Sequence, residues 1–365
     1  MQKKIIILCT VILIVVMEAL FALIGALMPG PFTGTVTDAE TNEPIANVSV
    51  SDGRNVVTTD ENGVYTLPGY SKSRFVTITT PAGYWTENYY IPVTKDRETY
   101  DFRLDKSEKT AQADHSFLQI SDSEIGAKGV GAWIEHVRDT VKETDPAFLI
   151  HTGDICYEDG LKQHIKDMNT ENMGVPVHYV IGNHDYVAGK YGEALFESIY
   201  GPVWYSFDVG NVHYVVTPFQ TGADYASGYN KNDRWKWLEN DLANVEPGMK
   251  VVMFNHTKAP SDDYVLSYGL KKLDLKEHDL VAWVYGHYHY NYITETDGVL
   301  NISTGRPDCG GIDSSASGSR LISITANGQV STQMYYYDFE QPQAPDGANC
   351  LLYTSPSPRD YAASR

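Results

Sequence analysis

Between residues 120 and 289, five apolar, strand-like runs each end in polar residues able to bind a cation. They are Ile120-Ser-Asp122-Ser-Glu124, Thr152-Gly-Asp154-Ile-Cys-Tyr157, Ile181-Gly-Asn183-His184-Asp185, Phe254-Asn-His256 and Tyr285-Gly-His287-Tyr-His289. Ligands placed repeatedly at strand ends constrain the fold strongly. They meet only if the strands share an edge at which their carboxyl ends converge. Parallel neighbours need crossovers, which are usually helices. The sequence provides both kinds of element. Phe117 to Ile120, Ala147 to Ile150, Val177 to Ile181, Val212 to Val216, Val251 to Phe254 and Leu280 to Val284 read as strands. Val130, Trp133, Ile134, Val137 and Val141 recur at helical spacing, as do Asn232, Trp235, Leu238, Leu242 and Val245. Further strands are expected near Val299 to Ser303, Leu321 to Ile324 and Gln333 to Tyr337. The expectation is a layered α/β domain over residues 115–338, with mixed sheets flanked by helices.

The region ahead of it reads differently. Short alternating runs such as Val48 to Val50, Phe75 to Ile78 and Tyr100 to Leu104 are separated by turn signals, among them Asp52-Gly53 and Asn62-Gly63. A small all-β sandwich domain is expected over residues 30–105, joined by a polar linker, residues 106–114. Its opening, Gly34-Thr-Val-Thr-Asp38 through Tyr65-Thr-Leu67, resembles the carboxypeptidase-regulatory-like β-sandwich modules, which implies a spacer or docking domain. Residues 1–29 hold Lys3-Lys4 and an apolar run from Ile5 to Met28, read as a retained signal-anchor or a cleaved signal peptide. Either reading makes the protein extracytoplasmic, membrane-anchored by its N-terminus or secreted. At the other end, residues 339–349 read as the start of a truncated C-terminal segment. Residues 350–365, from Cys350-Leu-Leu-Tyr onward, match the translation of a sequencing-library adapter and read as an artefact.

The chain has 47 Asp plus Glu against 28 Lys plus Arg, and no basic cluster after Lys3-Lys4, so no nucleic-acid partner is expected. An anionic substrate then needs a local source of positive charge, which bound cations would supply. With Cys9 in the apolar run and Cys350 in the artefact, Cys156 and Cys309 either pair or remain two buried thiols.

Carboxylate, amide oxygen and imidazole converging from the five segments make a metal site, and two metals need one ligand to bridge them. Singly each segment is weak evidence; a lone histidine at a strand end is more often structural. The other histidines (His115, His136, His151, His164, His178, His213 and His278) lie in no such constellation and read as structural or solvated.

The order of segments resembles the calcineurin-like metallophosphoesterase family, whose pattern is Asp-x-His, Gly-Asp-x-x-(Asp or Tyr), Gly-Asn-His-(Asp or Glu), His and Gly-His-x-His. The resemblance covers about Ser116 to Tyr337. It implies a metallophosphoesterase sandwich in which Asp154 bridges two metal ions. Asn183, His256 and His287 would complete one site, and Asp122 with His289 would belong to the other. His184 would be the catalytic imidazole, held by Asp185, and would contact substrate together with Asn183. Glu124 stands where the family has histidine. Tyr157, three residues after Asp154, matches the purple acid phosphatase branch, which lacks that histidine and uses a phenolate. If Tyr157 is a ligand, Fe(III) plus a divalent ion is expected; if it only lines the cleft, a divalent zinc, manganese or iron pair is expected. Glu124 is then either a further ligand or a base beside the ligands. Arg306 is either a phosphate clamp or a surface arginine.

The implied chemistry is hydrolysis of phosphate esters, monoesters ahead of diesters, by a two-metal bridging-hydroxide mechanism. Two alternatives stay open: a nucleotide or lipid-head-group phosphodiesterase, and a non-catalytic surface-binding protein on the same scaffold. A small phosphate ester is the expected partner, with the membrane reached through the apolar N-terminal run and no obligate protein partner.

Overall fold

The computed structural model describes residues 31–125, 131–187, 191–218, 227–312 and 314–337. Its first part is built from β1 (Phe32–Asp38), β2 (Ser49–Ser51), β3 (Val56–Thr58), β4 (Val64–Leu67), β5 (Phe75–Ile78), β6 (Tyr84–Trp85), β7 (Tyr90–Pro92) and β8 (Phe102–Lys106). They form two sheets, β4-β1-β8-β6 and β3-β2-β5-β7. Every second residue of β1 is buried, as a strand with one face on a core requires. Val36, Val50, Leu67, Val76, Phe102 and Leu104 fill that core.

The second part holds β9 (His115–Ile120), β10 (Phe148–His151), β11 (Val177–Tyr179), β12 (Tyr205–Val209), β13 (Val212–Val216), β14 (Lys250–Phe254), β15 (Val265–Tyr268), β16 (Lys271–Asp274), β17 (Leu280–Tyr285), β18 (Tyr292–Thr296), β19 (Val299–Ser303), β20 (Gly318–Ile324) and β21 (Val330–Tyr336). One sheet runs β11-β10-β9-β20-β21 and the other β12-β13-β14-β17-β19-β18. Within the first, β9, β10 and β11 are parallel; within the second, β13, β14, β17 and β19 are parallel. Antiparallel strands complete each sheet.

The two sheets pack through one face each. Phe117 stacks on Phe148 at 4.9 Å and meets Phe254 edge-on at 5.4 Å. The opposite faces carry Leu118, Ile120 and Leu149 from one sheet and Val251, Met253 and Trp283 from the other, in a core shared with helical residues. Helix Trp133–Thr144 contributes Trp133, Ile134, Val137 and Val141, and helix Lys231–Leu242 contributes Trp235, Leu238 and Leu242. The result is a layered α/β sandwich preceded by an all-β region. Helices Tyr157–Asp167 and Ala194–Tyr200 were not evident from periodicity. The first is polar and contains Gly160, which a close approach to the Ile125 carbonyl requires to lack a Cβ.

The two parts touch directly. Asp208 N donates to Thr80 O at 2.8 Å, and Asn240 Nδ2 donates to Arg54 O at 2.9 Å. The Thr79 and Ser206 hydroxyls lie 2.8 Å apart.

Of the expectation of an extracytoplasmic protein, held at a membrane by its N-terminus or secreted, the membrane anchor is corrected here, since the described structure gives it no support. Among the described residues no helix is long and apolar enough to cross a membrane, and the described chain opens in a β-rich region. The apolar run from Ile5 to Met28 and the adapter-like tail lie outside the described residues. Cys156 and Cys309 are both free, and Cys309 is exposed rather than buried.

Candidate metal centre

Each candidate ligand follows the carboxyl end of a parallel strand: Asp122 after β9, Asp154 after β10, Asn183 to Asp185 after β11, His256 after β14, and His287 and His289 after β17. The two sheets therefore deliver their loops to one edge. The backbone there is unusual. Asp122, Glu124, Asp154, Tyr157, His287 and His289 all adopt positive φ, between 41° and 69°. Non-glycine residues rarely do so, and such strain gathers where a site over-determines geometry. The glycines of the segments have a matching cause. A Cβ on Gly182 would strike the Asp154 carboxylate, and one on Gly286 would strike Asp122.

Three groups of donor atoms form, each within 4.8 Å: Asp154, His256 and His287; Asp122, Asp154 and His289; and Glu124, Asp154 and His184. Asp154 belongs to all three. The Asn183 Oδ1 is buried without a hydrogen-bond partner among the described residues, as an amide oxygen reserved for a cation would be. The donor chemistry and this orphaned oxygen fit a pair of cations.

His256 is fully buried, with Nδ1 2.7 Å from the Thr152 carbonyl and Nε2 3.0 Å from Asp154 Oδ2. A carbonyl only accepts, so Nδ1 carries hydrogen and Nε2 faces the carboxylates. Burial works against charge on this imidazole, yet Asp154 and Asp122 draw it up to about 9. Asp154 moves the other way: burial opposes its ionisation, but His256 holds it below the usual carboxylate range. Burial, with His256 adding repulsion, pushes His287 down. A hydrogen bond to Asp122 leads the rise at His289, whose Nε2 lies 3.3 Å from Asp122 Oδ1.

Asp185 differs from expectation. Its carboxylate accepts the Asp154, Gly182 and Cys156 amides at 2.9, 2.8 and 2.8 Å, so it joins the two ligand loops by their backbones. Burial and the neighbouring Asp154 charge push it up to about 7. The His184 ring meets other groups: Nδ1 lies 3.3 Å from the Tyr157 hydroxyl and Nε2 3.9 Å from Asp154 Oδ2. Tyr157 opens a helix and is 61% exposed, with its ring 5.4 Å from the imidazole. Glu124 is bound on both sides, Oε1 3.4 Å from His289 Nε2 and Oε2 accepting from Arg306 Nη1 at 2.5 Å. Arg306 also reaches Asp308 at 3.3 Å. Arg306 is thus a neighbour of the site with its charge already engaged.

The chain matches two family models, one described as calcineurin-like phosphoesterase over residues 115–291, the other as the N terminal of calcineurin-like phosphoesterase over residues 30–107. Among solved structures it is similar to a dimetal phosphatase from Danio rerio, at 13% identity and TM-score 0.40, covering 61% of this chain and 99% of that one. It is also similar to GAP50, the anchor in the inner membrane complex of Plasmodium, at 15% identity and TM-score 0.42, covering 69% and 95%. Phosphopantetheinyl hydrolase from Mycobacterium tuberculosis is similar at 18% identity and TM-score 0.34, covering 53% and 91%. A search of curated proteins returned no match.

Proposed function

We propose, from the premise that this chain carries a calcineurin-like phosphoesterase domain behind that family's N-terminal domain, that it hydrolyses phosphomonoesters. Metal-dependent cleavage of phosphoester bonds is the activity of the family; the monoester preference and the residue roles are our reading. The observation that carries it is the membership of Asp154 in all three donor groups, which suits a carboxylate shared by two cations. One cation would be held by Asp154, Asn183, His256 and His287, the other by Asp154, Asp122 and His289. When bound, the pair acidifies water and offsets charge on the phosphoryl oxygens.

The chain's own groups do the rest. His184 gives a proton to the leaving oxygen or hydrogen-bonds a phosphoryl oxygen. Tyr157 orients it through Nδ1. Asp185 keeps the loops of Asp154 and His184 in register. Because the Tyr157 hydroxyl has His184 as a partner, we favour a divalent pair such as zinc, manganese or iron over the ferric reading. Glu124 is then a base beside His289, its charge offset by Arg306. We read residues 30–105 as a spacer and residues 115–338 as the catalytic unit.

The monoester preference rests on the part-exposed His184, a group able to meet the extra negative charge of a monoester. Hydrolysis of 4-nitrophenyl phosphate and of bis(4-nitrophenyl) phosphate, each with Mn2+, tests it. We expect kcat/KM for the monoester to exceed that for the diester by about tenfold or more. The reverse order would favour a phosphodiesterase, and no turnover of either would favour a non-catalytic scaffold.

A further inference from the structure

Strand β9 is buried along Phe117-Leu118-Gln119-Ile120, and Gln119 is the one amide in that run. Its side chain shares a face with Phe117 and points between the two sheets, a layer otherwise packed with aromatic and aliphatic groups. A polar group there is unfavourable unless every hydrogen-bonding atom is matched. Gln119 meets that condition. Its Nε2 donates to Thr152 Oγ1 at 3.0 Å and to the Tyr285 carbonyl at 2.9 Å, and its Oε1 accepts from Thr304 Oγ1 at 2.7 Å.

The directions of these bonds are fixed at both ends. Arg320, the cross-strand neighbour of Gln119 on β20, only donates, and its Nε gives a hydrogen to Thr304 Oγ1 at 3.0 Å. The Tyr285 carbonyl only accepts, so the amide nitrogen must face it. Thr152 passes its own hydrogen to the Ile120 carbonyl at 3.3 Å. The chain Arg320, Thr304, Gln119, Thr152 has one consistent polarity, with no alternative flip of the amide.

What the amide joins matters more than its own stability. Gln119 stands three residues before Asp122, Thr152 two before Asp154, Tyr285 two before His287, and Thr304 two before Arg306. The carbonyl of the same Thr152 receives His256 Nδ1. One side chain thus links the ends of β9 and β10 in one sheet to those of β17 and β19 in the other, immediately behind the ligands. An apolar residue of the same size would fill the space without fixing these strand ends relative to one another.

We propose that Gln119 is a positioning residue of the metal centre, setting the spacing between ligands borne by different sheets through its bonds to Thr152, Tyr285 and Thr304. This rests on the reading of the site as a cation pair. It makes Gln119 essential to affinity for metal beyond its effect on stability.

The test is Mn2+ affinity of the full chain, measured by competition with a chromogenic chelator, alongside the melting temperature. Gln119→Met keeps the volume and removes the amide. We expect it to weaken Mn2+ binding by about 10–100-fold. Thr304→Val removes the bond to Oε1 together with the one received from Arg320 Nε, and should weaken binding in the same direction, less strongly; it carries the test if Gln119→Met does not fold. Thr332→Val is the control. It removes a bond of 3.1 Å from Arg320 Nη1 on the far side of the network, and should lower the melting temperature without changing Mn2+ affinity. Wild-type affinity in a folded Gln119→Met, or in Thr304→Val where Gln119→Met does not fold, would overturn the proposal. So would an equal loss in Thr332→Val, which would show that affinity merely follows stability. If the wild-type chain binds no Mn2+, the reading of the site falls, and this inference with it.

Discussion

His184 is part-exposed, while the candidate ligands Asp122, Asp154 and His256 are buried. Asn183, His287 and His289 are part-buried as His184 is, so it is the proposed role of His184, and not burial alone, that sets it apart from the candidate ligands. That role yields a prediction: His184→Asn keeps metal content and lowers kcat by about 10²–10⁴-fold. Steady-state kinetics and metal analysis on one preparation check this. Loss of metal would instead place the imidazole among the ligands, as its grouping with Glu124 and Asp154 permits. Residue types and order identified Asp122, Asp154, Asn183, His256, His287 and His289 as candidates, and the structure brings them to one edge. The function of Asp185 was not legible, because a carboxylate accepting backbone amides has no side-chain partner to betray it. Gln119 was passed over for a related reason: a single amide in an apolar run has no motif. Its one signal was polarity at a position whose neighbours are all buried.

At the scale of elements, β12 and β13 are joined to helix Lys231–Leu242 through His213. Its Nδ1 lies 2.7 Å from Asp208, its cross-strand partner, and its Nε2 lies 3.0 Å from Asp241 on the helix. Burial would keep this imidazole neutral, but Asp241 and Asp208 outweigh it and push it up to about 10, from an ordinary 6.5. A folded-state value above the unfolded one means that the contribution is complete below about pH 6.5 and is lost as pH rises through about 10. The contribution is on the order of a few kcal/mol. We therefore expect the stability difference between wild type and His213→Gln, from urea melts, to shrink steadily from pH 6 to pH 10. A difference independent of pH would show that His213 is held neutral. Lying in no constellation of ligands, His213 read as structural or solvated from the sequence, and it is buried. Its charge state depended on Asp208 and Asp241, and Asp241 comes from an element 28 residues away. The helices Tyr157–Asp167 and Ala194–Tyr200 escaped the same reading for different reasons: the first is largely polar, burying only Gly160, Leu161 and His164, and the second is seven residues long, too short for its apolar spacing to establish a period.

Across the whole molecule, the N-terminal region reaches the α/β region through charged side chains, Lys72 pairing with Asp233 at 3.3 Å and Arg74 reaching two buried carboxylates. Arg74 pairs with Glu193 and Glu197 and lies 4.1 Å from the centroids of both the Tyr191 and Tyr229 rings. Both carboxylates are buried, so the guanidinium is the counter-charge that lets them be there. The separation into an all-β region and an α/β region was legible in the change from period-two runs to alternating strands and helices. This contact was not, because nothing in the spacing of Arg74 and Glu193 announces that they meet. The central claim for the whole is that loops from two sheets build one centre around a shared Asp154. Metal content of the purified chain by elemental mass spectrometry tests it most directly. We expect about two equivalents in wild type, about one in His287→Ala and in His289→Ala, and near none in Asp154→Ala. An Asp154→Ala variant that keeps one equivalent or more, or a wild type that saturates at one, would contradict it.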